Sequence, residues 1–185
     1  MNIFYIDSDP EIAARSLCDK HVVKMIVESA QMLSTAHRVL DGNMQILPSK
    51  SGKRMVKKWV LDNDLENILY KSAYENHICN VWVRESIENY SWLFYHFAFM
   101  VDEYERRYDR KHLTWTKLGN ILDTSPQNIP ICDFTQVGYA LSGRTECIVD
   151  GDPVETYRNF YRSKKNDFEL KWEYTQKPKW FDKST

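Results

Sequence analysis

The sequence predicts a mainly α-helical fold: a compact single-domain helical bundle with long central helices and an irregular C-terminal region. Three observations carry this expectation. Helix-favouring residues run through 10–40, and apolar residues recur at spacings of three and four through 55–74 and 83–108. The pairs Asp9-Pro10 and Asp152-Pro153 each combine an N-cap carboxylate with a proline suited to the first helical turn. No repeat or linker divides the 185 residues, whose 43% hydrophobic content is enough to fill one core, so 1–185 is expected to be one domain.

Taken in order, residues 2–6 form a short apolar run, and Asp9, Pro10 and Glu11 open a helix near residue 10. A break is expected near 18–20, and Asp41-Gly42-Asn43 supplies a stop. Residues 45–53 read as a surface loop. Helical spacing returns over 55–74, with Met55, Trp59, Leu65, Ile68 and Leu69 as core candidates and a possible restart at 62–64. A turn falls at Glu75-Asn76-His77. The stretch 83–108 then reads as a long helix whose Ile87, Tyr90, Leu93, Phe94, Phe97, Val101 and Tyr104 form a buried stripe. A short helix is expected over 116–122, a loop over 125–130, a last helix after Asp152, and an aromatic, basic tail over 172–181 folded back on the body.

Charge and cysteine usage narrow the function classes. The formal net charge of −1, from 25 basic and 26 acidic residues, is not the strongly basic balance of a phosphate-binding protein. A near-neutral chain can still present a basic face. Lys50, Lys53, Arg54, Lys57 and Lys58 form the densest positive cluster, readable as a solvated helix face or as phosphate contacts. Cys18, Cys79, Cys132 and Cys147 form no CxxC pair, so reduced thiols are expected. Cys18 and His21 have half-site spacing, but no second pair accompanies them, and neither a metal nor another cofactor is expected. No apolar run approaches the ~18 residues of a membrane span. Asp7, Asp9 and Glu11 stand where a signal peptide would be positive, so a cytoplasmic protein is expected.

The chemistry is concentrated on one helix face. His21, Lys24, Glu28, Gln31, Thr35 and Arg38 are spaced three and four apart, which aligns them in a polar stripe. Val22, Met25, Ile26, Met32, Leu33 and Val39 cover much of the remaining circumference, so the helix is central and its polar face needs either partners or a water-filled cleft. Glu28 and Lys24 suit a plain ion pair or a general acid/base flanked by cations. His21 and His37 divide in the same way between satisfied imidazoles and working groups.

The run from Leu17 through Asp19 and His21 to Glu28 resembles the first helix of the pyrimidine dimer DNA glycosylases of the endonuclease V type. There, a Leu-x-Asp-x-His start is followed seven residues on by a catalytic Glu, and Glu28 occupies that position. Tyr74-Glu75-Asn76-His77, with a later helix ending Glu103-Tyr104-Glu105-Arg106-Arg107-Tyr108, resembles a second block of bacterial relatives, in the same order. The resemblance implies a compact helical enzyme for which an α-amine is the nucleophile on the deoxyribose and Glu28 manages protons. An α-amine, with an ordinary pKa of about 8, is substantially neutral at physiological pH.

The nucleophile would be the amine of Met1, or that of Asn2 if Met1 is removed, with His21 in the same site. This departs from members that expose a small hydroxyl residue, and Val27 stands where the family often has Arg. The implied partner is double-stranded DNA, bent to extrude a nucleotide. The candidate contacts are Arg15, Lys20, Lys24, Arg38, Lys53, Arg54, Lys57, His77 and Arg84, with His21 and Arg38 expected in one cleft with Glu28. Two other readings stay open: an enzyme of the same fold that modifies another base or nucleotide without an imine, and a non-enzymatic helical binding protein.

Overall fold

A computed structural model describes residues 1–49 and 51–182. The Asp9 carboxylate accepts hydrogen bonds from the backbone N–H groups of Glu11 and Ile12, and α1 runs Pro10–Ser16. The chain breaks at Leu17 and Cys18 and restarts as α2, Asp19–Asp41. The predicted stop falls at Gly42, where a Cβ would lie only 2.5 Å from the Arg38 carbonyl oxygen and 2.9 Å from that of Val60.

The molecule is mainly α, built on two long helices. Both α1 and α2 pack on α5, Ile87–Tyr108, while α2 also meets α4, Ile78–Val83, and α6, Leu113–Leu122. Met25, Ile26 and Leu33 of α2 and Leu93, Phe97 and Met100 of α5 share one core, all fully buried. Of the predicted α5 stripe, Ile87 and Tyr104 are only partly covered. The long helix expected from residue 83 starts at Ile87 instead: Val83 ends α4, and the Ser86 side chain accepts from Glu88 N–H to start α5.

Residues 55–74 depart furthest from expectation. They hold no long helix: β1, Asn43–Pro48, pairs antiparallel with β2, Met55–Val60, in a register running from Asn43 opposite Val60 to Pro48 opposite Met55. Only Leu65–Ile68, α3, is helical. Val56, Trp59 and Val60 favour extended backbone, and no acidic residue lies between Asp41 and Asp62 to pair with the lysines at helical spacing. Gly52, at φ 71, supplies the left-handed residue of the connecting turn. The expected surface loop therefore begins as a strand. Of the core candidates Leu69 is buried, Trp59, Leu65 and Ile68 are half-buried, and Met55 is 59% exposed.

The N-terminal segment is threaded through the interior: Asn2, Ile3, Phe4, Tyr5 and Ile6 are all buried. Phe4 takes the left-handed region at φ 46, a strain that the surrounding packing must hold. Residues 123–152 are largely irregular, with a single 3-10 turn at Thr145–Cys147. The Asp152 carboxylate then accepts from Glu155 N–H to open α7, Pro153–Ser163. The tail folds back as expected: Trp172 Nε1 donates to the Ser16 carbonyl at 3.1 Å, and Trp180 is buried. Among the described residues, no helix is long and apolar enough to cross a membrane.

Candidate active site

The helical period of α2 brings His21, Lys24 and Glu28 to the mouth of a cleft of about 310 Å³ that Met1, Asn2 and Phe4 also line. Glu28 Oε2 lies 3.7 Å from the Met1 amine and accepts the Asn2 backbone N–H at 3.1 Å. Its other oxygen, Oε1, faces Lys24 Nζ at 3.2 Å. Asn2 fixes this end of the chain: its Nδ2 donates to the Ala140 carbonyl at 2.7 Å, and its Oδ1 accepts from Phe4 N–H at 2.8 Å. The Met1 side chain is anchored too, with its sulfur 3.1 Å from Asn80 Nδ2. The amine is thus held at a carboxylate rather than waving in solvent.

His21 is buried against Phe4, ring centroids 4.7 Å apart, and its Nδ1 lies 2.8 Å from the Tyr161 hydroxyl. The same hydroxyl oxygen accepts the Cys18 N–H at 2.9 Å, which fixes the ring's partner from the start of α2. Burial, with the cations Lys24, Lys164 and Lys20 adding to it, holds the imidazole down to about 3, so it is neutral at physiological pH. His77 caps α4, accepting from Cys79 N–H through Nδ1. It too is shifted down, by burial and by the N-terminal amine, against the opposing pull of Glu28.

The remaining candidates divide. Lys20 lines the cleft, its Nζ 4.3 Å from the centre of the Phe168 ring. Arg15 pairs with Glu11 and lines a separate depression beside Lys177 and Pro178. Arg84 donates to the Asn80 carbonyl at 3.1 Å. Val27 is 43% exposed. Lys53, Arg54 and Lys57 are exposed on the β1–β2 hairpin, whose first residue lies roughly 20 Å along α2 from Glu28 at about 1.5 Å per residue. Lys50 of that cluster lies outside the described residues.

Arg38 is a correction: it lines no part of the cleft. Its guanidinium is fully buried and donates to Glu66 Oε2 at 2.5 Å and to the carbonyls of Tyr70, Trp59, Glu66 and Leu69. Burial raises the Glu66 carboxyl, but hydrogen bonds from Lys71, the Leu61 N–H and Arg38 prevail and hold it down to about 2. Arg107, at the arginine-rich end of α5, is likewise internal, bound to Glu103 at 2.7 Å and Asp19 at 2.8 Å.

Sequence reading missed the far wall of the cleft, formed by Ser142, Phe160, Lys164, Asp167 and Phe168. The helix-start signal at Asp152 locates α7, but nothing local says that its end meets a site built around residues 1–28.

With the carboxylate, the amine and the first helix in place, comparison with known families decides the assignment. A family model described as pyrimidine dimer DNA glycosylase matches residues 1–116. The chain belongs to this family. Membership supports an enzyme of DNA repair with a DNA substrate. No match was found among curated proteins or solved structures. The matched segment carries the amine, His21 and Glu28 of this pyrimidine dimer DNA glycosylase relative, whereas the wall from Ser142 to Phe168 lies beyond it.

Proposed function

We propose that the chain excises damaged or modified pyrimidines from double-stranded DNA, with the Met1 amine as nucleophile, Glu28 as the proton-handling carboxylate and an accompanying strand-cleaving lyase step. The observation that carries this reading is the 3.7 Å approach of the Met1 nitrogen to Glu28 Oε2 inside a cleft. A neutral amine attacks C1′ of the deoxyribose; the glycosidic C–N bond breaks, and the base leaves with its bonding pair and takes up a proton. Loss of an amine proton and opening of the C1′–O4′ bond give a protonated imine, with O4′ becoming a hydroxyl. Glu28 then stands where it stabilises the cation and removes a C2′ proton, whose electrons expel the 3′ phosphate. Water hydrolyses the imine and frees the amine. Lys24 and Lys20 hold the neighbouring phosphates, and the hairpin cations Lys53, Arg54 and Lys57 extend the contact along the duplex.

Removal of Met1 would leave the same mechanism available, since the Asn2 nitrogen already lies 3.1 Å from the same oxygen. The test is borohydride trapping on duplexes carrying a thymine dimer or an abasic site, followed by mass spectrometry of the N-terminal peptide. A covalent adduct on residue 1 or 2 is expected. Base release with no trappable adduct would remove the amine mechanism, and an adduct on an internal lysine would reassign the nucleophile.

A further inference from the structure

A second groove of about 440 Å³ lies beside the cleft, between the first turns of α2 and the end of α5. Tyr104 and Tyr108, ring centroids 5.0 Å apart, line it with Val23, which is 39% exposed. Lys20, Lys24 and Arg110 supply three cations, and among the described residues Lys20 and Arg110 form no salt bridge. Among the described residues one acid lines the groove, Asp19, and it is already committed, Oδ1 to Arg107 at 2.8 Å and Oδ2 to the Glu173 N–H at 2.7 Å. The groove therefore combines aromatic surface with uncompensated positive charge, the pairing that suits a base and its phosphate.

Lys20 and Lys24 line both the cleft and this groove. One helical turn apart, they form a ridge of cations between the two. Adjacent nucleotides are joined by a single phosphodiester, so a strand with one sugar at Glu28 passes its next phosphate over that ridge. We propose that the groove holds the nucleotide adjoining the reacting one on the same strand, its base against Tyr104 and Tyr108 and its phosphate among Lys20, Lys24 and Arg110. This rests on the glycosylase reading and adds to it a site that grips the strand beside the lesion. Continuity with the cleft favours the same strand over a separate ligand.

The test uses the full chain and a duplex with a tetrahydrofuran abasic analogue, placing 2-aminopurine at either neighbour on the same strand or opposite the analogue. Binding of the wild type is expected to change the fluorescence of a same-strand neighbour. Tyr104→Leu with Tyr108→Leu, which keeps the groove apolar, should remove that change and weaken binding about 5- to 100-fold. Arg110→Glu, on an exposed side chain, should weaken binding without disturbing the fold. Unaltered affinity and fluorescence in these variants, or a fluorescence change confined to the opposite strand, would overturn the groove proposal while leaving the glycosylase reading intact. If the wild type binds the analogue no better than undamaged duplex and no imine can be trapped, the glycosylase reading fails and the groove proposal with it.

Discussion

The two halves of the polar stripe on α2 use similar residues in opposite ways. His21, Lys24 and Glu28 border a cleft, and Glu28 meets a mobile-proton group, the chain's own amine. One turn further on, Gln31, Thr35 and Arg38 face the segment 59–73 and hold its backbone. Gln31 Nε2 donates to the Lys71 carbonyl at 2.6 Å, Thr35 Oγ1 accepts from Ala73 N–H at 3.3 Å, and Arg38 binds four carbonyls. A polar face on a buried helix can thus be satisfied by chain laid over it or by solvent and substrate. What distinguishes the two is whether another segment arrives to cover the stripe.

The largest expected effect is on the covered half. Arg38→Ala leaves the Glu66 carboxylate without its buried partner and should cost about 3–5 kcal/mol in chemical denaturation. A loss below about 1 kcal/mol would mean that the latch is dispensable. On the open half the pattern should reverse: Glu28→Gln should lower strand cleavage about 100- to 10,000-fold while shifting stability by less than about 1 kcal/mol. A Glu28→Gln protein with full activity would make both halves structural.

The histidines sharpen the contrast because they do not follow it. His21 lies in the open half and His37 on the opposite side of α2 against Tyr90 of α5, yet burial shifts both down, His21 to about 3, and it holds His96 of α5 at about 3 as well. A folded pKa below the unfolded value of 6.5 means that the unfolded chain binds more protons, so stability is full above about 6.5 and falls as pH drops toward 3. Between pH 6.5 and 5 the slope should approach about 1.4 kcal/mol per pH unit for each of His21 and His96. Among the described residues neither buried His96 ring nitrogen has a hydrogen-bond partner, so His96→Leu should raise stability at pH 7 by about 1–2 kcal/mol and flatten the acid slope. An unchanged slope would place the titration elsewhere. The smallest effect belongs to the hairpin: charge reversal at Lys53, Arg54 and Lys57 should weaken damaged and undamaged duplex alike, reducing the salt slope by roughly 0.9 for each phosphate that is no longer neutralised. Discrimination between the two duplexes should be unaffected.

Much of this architecture was legible because it is written locally. The caps at Asp9 and Asp152, the stop at Gly42 and the apolar spacing of α5 each lie within a few residues of the feature they specify. The hairpin was not legible, since Met55, Trp59 and Leu65 mimic helical spacing while the pairing that decides the matter links β2 to a strand that itself looked like loop. Helical periodicity placed His21, Glu28 and Arg38 on one face without revealing that residues 59–70 close over the last of them. The wall of the cleft was hidden for the same reason, since Lys164 and Phe168 stand far along the chain from Glu28 and no local pattern joins them.

The threading of residues 2–6 through the core also sets an order of assembly during synthesis. Asn2 is tied to Ala140, His21 to Tyr161 and Ile6 to Arg158, pairings that span 138, 140 and 152 residues. Residues 2–6 therefore leave the ribosome well before Ala140, Arg158 and Tyr161, and they find their native neighbours only after these have been made. Until then the chain end that bears the amine lacks those anchors. The proposed nucleophile is fixed at its carboxylate only once residues 138–161 have closed around residues 2–6, so the nascent protein stays chemically silent until that segment has been made.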